Sequence, residues 1–320
     1  MEIEQLLWHY SQGQRDFSRL DLQHVEILNA DLTDINFSRA SLEWANLCGC
    51  CLRHSNLNRT DFAHARLMST QLVGADLRGT DLSSADLSWA DLNSAQLINA
   101  NLCYANLKQA KLTDVNLQGA MLCQAKLQGV NLSGANLMRA DLSGADLSGV
   151  DLSGADLSRA DLSNADLRGA KLNHANLYKA DLSFCQLHGG DLQDTLFQGA
   201  NLSQSNLKGA DLARAIMREI NLSAVNWSAI DTQSAEATNR INLQGACLQG
   251  AILQRVALTN AILDYATLQR ARLAKVNLQG ANLVEANLRG ADLRNTNFTN
   301  SQIIEIDLTD AVMPDGSIHP

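Results

Sequence analysis

Proline is almost missing from this sequence: 2 residues in 320, Pro314 and Pro320, both near the C-terminal end. A chain that avoids proline this thoroughly needs nearly all of its backbone N–H groups as donors, as strand ladders do. Aromatic residues are scarce as well, at 4%, so the interior is expected to be built from small aliphatic side chains and not from large rings. No run of about 18 apolar residues occurs, and no membrane span is expected. The first residues carry neither a basic start nor an apolar stretch, which argues against a secretion signal. Catalytic patterns are missing too: there is no phosphate-binding glycine loop, no nucleophile elbow and no HxxxH pair. A non-enzyme without a cofactor or metal is therefore expected.

What is present is a period of five. From Val130 to Ala170 the chain reads VNLSGANLMRADLSGADLSGVDLSGADLSRADLSNADLRGA, with Leu132, Leu137, Leu142, Leu147, Leu152, Leu157, Leu162 and Leu167 each preceded two places earlier by Ala or Val. In an α-helix a step of five residues advances about 500°, so successive leucines would smear around the cylinder about 140° apart. A straight strand would point them alternately to opposite faces, because five is odd. They share one interior only if the backbone turns a corner once per repeat, with Asp, Asn, Ser and Gly supplying the corners. Short units of this kind bury an apolar face only by stacking on their neighbours, which marks a solenoid.

The unit A-[D/N]-L-x-x, written here as ADLSG, ANLMR, ADLSR and ANLYK, resembles the pentapeptide-repeat family, in particular its cyanobacterial type. The resemblance implies an all-β fold, a right-handed quadrilateral parallel β-helix with four repeats per coil. It also implies that the central residue and the one two places before it point inward while the other three face solvent. Of the four phenylalanine centres in the first block, Phe17, Phe37 and Phe197 lie multiples of twenty apart, which favours four repeats per coil.

Along the chain, residues 1–14 lie outside the register, and Leu6, Leu7 and Tyr10 share one face of an expected short helix, an N-terminal helical cap that ends before Gly13. Repeats occupy 15–227 as a first block. Over 228–241 the pattern breaks, and leucine centres resume one residue out of register at Leu243. Two readings stand, a one-residue bulge with Thr232 and Ala237 in weak centre slots or a loop ejected from the column; a bulge or short loop that leaves the stack continuous is favoured, because bulges absorb an extra residue without ending a ladder. A second block runs over 242–313. The tail 314–320 is either a C-terminal cap or a short disordered end.

Stacking makes residues twenty apart neighbours, so the surface reads as columns. His24, Trp44, His64, Ser84 and Tyr104 form one, and outward aromatic residues with no role in the core are enriched where partners bind. Arg19, Arg39 and Arg59 form another, resumed by Arg139, Arg159 and Lys179. Asp21, Asp61, Asp81, Asp141, Asp161 and Asp181 follow two residues along, so the rows are expected to neutralise each other across a corner; an anion-facing stripe is the alternative. The candidate partner-binding residues are thus His24, Trp44, His64, Tyr104, Arg139, Arg159 and Lys179.

Seven cysteines without extracellular signs favour reduced thiols in a cytoplasm. Cys50 and Cys185 fall in inward slots and should be inert. Cys103 and Cys123 stack one coil apart, within disulfide reach, and are expected to pair only under oxidation.

Function is expected to be that of a protein-binding or regulatory scaffold with an unidentified protein partner. By the resemblance, the rival is a DNA-mimicking modulator of DNA gyrase or topoisomerase. A duplex carries one charge per about 1.7 Å, whereas the formal net charge here is -9 and its acidic belt, Asp141 to Asp166, wraps all faces. Direct nucleic-acid binding is disfavoured by a pI near 5.2. A homodimer through the coil ends is implied by resemblance.

Overall fold

The computed structural model describes residues 2–207, 209–212, 214–217, 220, 222, 225, 243–253 and 258–320. It comprises two compact units, Met1–Asp156 and Leu157–Pro320, each considered by itself.

Both units are right-handed parallel β-helices whose cross-sections are four-sided. In the first, parallel bridges join residues twenty apart, from Asp16 with Asn36 through to Asn136 with Asp156. Twenty residues at five per repeat make four repeats per coil. The centre of each repeat donates to the next coil, as Leu22 N does to Ser41 O at 2.7 Å, and the bridge residue donates back, as Ser41 N does to Leu20 O at 2.8 Å. Each corner is a tight turn closed by a bond such as Ala40 N to Phe37 O, 2.9 Å.

The preference for Asp or Asn just before each leucine has a local cause. Its side chain accepts the N–H two residues on, as Asp61 does from Ala63 at 3.0 Å and Asn36 from Ser38 at 3.0 Å, which folds the corner. Where Asn follows Asp one coil later, its amide donates back down the column, as Asn36 Nδ2 does to Asp16 Oδ1 at 3.0 Å.

Leucine centres and small residues two places before them form the core. Leu132, Leu137, Leu142, Leu147 and Leu152 in the first unit and Leu157, Leu162 and Leu167 in the second are fully buried, each contributing roughly 2 kcal/mol. Hydroxyl and thiol groups in the inward slots find partners: Thr60 Oγ1 donates to Phe37 O at 2.7 Å, and Cys185 Sγ to Leu162 O at 2.8 Å. Burial pushes the Cys185 thiol up to about 12 and raises that of Cys50.

Helix α1 (Ile3–Ser11) closes the first coil. It buries Leu6, and the Tyr10 hydroxyl donates to Thr33 O at 2.8 Å. Arg15 lies 4.0 Å over the Tyr10 ring and donates to the Tyr10 carbonyl at 2.9 Å, locking the helix end to the first repeat.

In the second unit the twenty-residue step holds from Asp161 with Asp181 up to Leu196 with Ile216. Ile216 then bridges Cys247, a step of 31 residues, after which steps of twenty resume. The ladder here passes over eleven residues more than a coil. The conformation of 228–241, bulge or loop, lies outside the described residues. At the C-terminal end the tail folds back. Val312 and Ile318 pair antiparallel, and His319 N donates to Ala311 O at 2.9 Å.

Candidate partner-binding surface

The column expected to carry His24, Trp44, His64 and Tyr104 is present in the first unit. Each residue is the second of its corner, with φ of 58°, 60°, 60° and 63°. This left-handed conformation throws the side chain outward from the coil. Each is pinned by a backbone bond to the next coil: His24 N to Glu43 O, Trp44 N to Ala63 O, His64 N to Ser83 O and Tyr104 N to Cys123 O, all 2.9 Å.

Of these side chains the structure brings two together. The Trp44 and His64 rings stack with centroids 4.2 Å apart and planes 11° from parallel. Trp44 Nε1 also donates to Glu43 Oε1 at 3.1 Å, which fixes the indole while leaving it 51% exposed. Tyr104 is 62% exposed further along the column. Among the described residues neither His24 nor Tyr104 makes a ring contact with the stacked pair.

Beside Tyr104, Cys103 and Cys123 form a disulfide, with Cα atoms 4.6 Å apart. The pair expected to lie within disulfide reach is thus drawn in its oxidised form. One-coil spacing places both side chains on the same corner, so bonding needs no backbone movement.

The basic residues are divided between the units. Arg139 lies in the first, with φ of 61°. In the second, Arg159 N donates to Tyr178 O at 2.8 Å, and Lys179 Nζ lies 5.2 Å over the Tyr178 ring. Next to them is an open groove of about 510 Å³, lined by Ser158, Asn176, Tyr178, Leu196, Gln198 and Ile216. Sequence reasoning missed Leu196 and Ile216. Their signal was an apolar residue in a slot that elsewhere holds Asp or Asn.

Neutralisation between the arginine and aspartate rows does not occur. Among the described residues none of Arg19, Arg39, Arg59, Arg139, Arg159 or Lys179 forms an ion pair. The corner that separates the rows holds the side chains apart. Three bidentate pairs are instead local, Arg78 with Asp76, Arg168 with Asp166 and Arg294 with Asp292, at 2.5–2.7 Å, while Arg214 pairs with Asp194 one coil away. In each of the three, the guanidinium holds the carboxyl below its usual range. The recurring D-L-R of these repeats was the sequence signal, because Asp and Arg flank one inward leucine and emerge on the same side.

Comparison with known proteins gives the following. Pentapeptide repeats match in eight copies, at residues 16–53, 52–83, 80–119, 116–154, 155–194, 191–226, 241–280 and 271–310. Among solved structures, the chain is similar to HetL, a pentapeptide repeat protein involved in heterocyst differentiation regulation from the cyanobacterium Nostoc sp. strain PCC 7120. Identity is 28% over 100% of both chains, with a TM-score of 0.41. It is also similar to alr5209, a pentapeptide repeat protein from Nostoc, at 34% identity over 32% of this chain and 79% of that one, TM-score 0.23. QnrB1, a plasmid-mediated fluoroquinolone resistance protein, is 16% identical over 67% of this chain and 95% of that one, TM-score 0.29. No curated protein sequence matches. Among the described residues, no helix is long and apolar enough to cross a membrane.

Proposed function

Given that this chain belongs to the pentapeptide-repeat family, we propose that it is a non-enzymatic scaffold that binds a protein partner through the aromatic corner of its first unit. The observation that carries this reading is the Trp44–His64 stack: two large rings held outward on a hydrogen-bonded ladder, with no part in the core. A ring fixed before binding loses little freedom when a partner covers it, and tryptophan is enriched among residues that dominate interface energies.

The test is affinity capture with the full chain and with a Trp44→Ser/His64→Ser/Tyr104→Ser variant. A partner retained by the first and lost by the second supports the assignment; equal capture by both defeats it. Lys179 and Arg159 beside the Tyr178 groove are proposed as a second, weaker contact, checked by the same assay.

Nothing in the acidic belt favours the gyrase-modulating rival. Asp141, Asp146, Asp151 and Asp156 extend four different ladders of the first unit, so their charge is spread around the coil and does not line one side. A supercoiling assay with micromolar protein separates the readings, since inhibition or protection of gyrase would revive the mimic. We also propose that two copies join through the C-terminal coil, where Ile303 is exposed. Light scattering that gives the same mass for the wild type and Ile303→Arg, at a concentration where the wild type exceeds a single chain, removes that proposal.

A further inference from the structure

Three guanidinium groups stand at one corner of the first unit without a counter-charge. Arg19, Arg39 and Arg59 occupy successive coils with φ of 60°, 59° and 56°. Their backbones are tied coil to coil by Arg19 N to Ser38 O, Arg39 N to Asn58 O and Arg59 N to Arg78 O, all 3.0 Å. That spacing sets the arginines about 4.8 Å apart at the backbone, close enough for neighbours to reach one oxyanion together. The left-handed corner does not single them out, because many other side chains of this protein adopt it. They share their lack of ion pairs with Arg139, Arg159 and Lys179, and what sets them apart is the pocket that Arg19 and Arg39 line together. Among the described residues none of the three guanidinium groups forms an ion pair or a hydrogen bond, and neither does the Ser38 hydroxyl, while the Ser18 hydroxyl is engaged by the Asp16 carboxyl.

Arg19 and Arg39, with Ser18 and Ser38, line an open pocket of about 430 Å³, together with Asn56, Asn58, Asp76 and Arg78, and Arg59 follows one coil beyond Arg39. The carboxylate in it is already satisfied. Asp76 accepts Arg78 Nε at 2.8 Å and Nη2 at 2.6 Å, so the pocket keeps the positive charge of the other arginines. Asp16, below the pocket, accepts from Ser18 N at 3.0 Å and from Asn36 Nδ2 at 3.0 Å. Gly79 ends the row. A Cβ there would lie 3.5 Å from Arg59 Cγ, so the Arg59 stem extends over the glycine and keeps its head free.

We propose that Arg19, Arg39 and Arg59, with the Ser38 hydroxyl, bind a phosphomonoester dianion carried on a phosphorylated segment of a partner protein. Guanidinium forks match phosphate oxygens in pairs, and serine hydroxyls donate to the remaining oxygen. The pocket exceeds what a phosphate alone fills, at roughly 30 Å³ per water-sized group, and leaves room for residues on either side of the phosphorylated one. A long polyanion fits poorly. The basic stripe ends at Gly79, the next face carries Asp21 and Asp61, and the formal net charge of the chain is -9. The site is separate from the aromatic corner and shares no residue with it.

The experiment uses the full chain and fluorescence anisotropy. Probes are a pool of labelled peptides randomised around one central phosphoserine, the same pool without phosphate, inorganic phosphate as competitor, and a single-stranded oligonucleotide. Saturable binding of the phosphorylated pool is expected, at least about tenfold tighter than that of the unphosphorylated pool and displaced by millimolar phosphate. Arg39→Gln is expected to weaken it about tenfold, Arg39→Lys less, and Arg270→Gln not at all, with circular dichroism spectra unchanged throughout. Equal binding of the two pools, no saturation, indifference to Arg39→Gln, or tighter binding of the oligonucleotide than of the phosphopeptides would each overturn the assignment. All of these would leave the Trp44–His64 reading intact, since the triple Ser variant tests that corner alone.

Discussion

The two ends of the chain meet the same problem, a coil with no neighbour on one side, and meet it differently. At the N-terminal end the centres Phe17, Leu22, Ile27 and Leu32 are at most 2% exposed, because α1 lies across them and inserts Leu6. At the C-terminal end Ile303 occupies the equivalent inward slot and is 53% exposed, while Phe298, Leu308 and Met313 are only half-buried. The tail there pairs Val312 with Ile318 and so satisfies backbone donors along one edge, but it leaves the apolar layer uncovered. A solenoid end thus presents two separate demands, unpaired backbone and bare interior. The helix answers the second, the hairpin the first.

The largest effect expected from this contrast is in core substitution. Leu32→Asp places a carboxylate in a fully buried slot and should destabilise the first unit by at least about 4 kcal/mol, whereas Ile303→Asp should cost under about 1 kcal/mol. Denaturant unfolding followed by circular dichroism measures both, and equal losses would break the comparison. Next is the restraint that the first unit has in Cys103–Cys123. Closing a loop of this length contributes about 3 kcal/mol in the chain-entropy description, so Cys103→Ser/Cys123→Ser should lower the melting temperature; an unchanged value with and without reductant would show that the bond restrains nothing. A smaller change comes from Tyr10→Phe, which removes the donor to Thr33 O and should cost about 1 kcal/mol in the same melt without altering the second unit.

Acid should give the smallest effect and fail to distinguish the ends. The Thr33 hydroxyl holds the Asp31 carboxyl below its usual range near the first coil, and the Ser317 hydroxyl does so for Asp315 in the tail. Lowered carboxyl values stabilise the folded chain above the unfolded pKa of about 3.9, and that contribution is lost as pH falls through the folded values. Stability should therefore be flat from neutral pH down to about pH 4 and fall below it, less so in Asp31→Asn. A decline beginning near pH 6 would point to other groups.

Much of the fold was legible because a five-residue period admits so few geometries. The inward leucines and the helix carrying Leu6 follow from spacing, while the twenty-residue coil is what the family resemblance implied. Charge pairing was not legible in the same way. Residues two apart across a corner, such as Arg19 and Asp21, diverge, while residues two apart across one inward leucine, such as Asp76 and Arg78, converge; sequence distance alone does not separate these cases. The eleven extra residues between Ile216 and Cys247 were hidden because eleven differs from a multiple of five by one, so counting leucines saw only a slip. The Cys103–Cys123 pairing was legible as one-coil spacing within disulfide reach.

One feature of the corners reaches further than any single site. Glycine at position 74, tryptophan at 44 and arginine at 39 adopt nearly the same left-handed angle, with φ between 59° and 66°. The backbone path is thus indifferent to what hangs from that vertex. Interior and exterior are written in separate letters of the same five-letter word, so a lineage can redraft the outer text, and with it the set of partners, while the inner text keeps the coil standing.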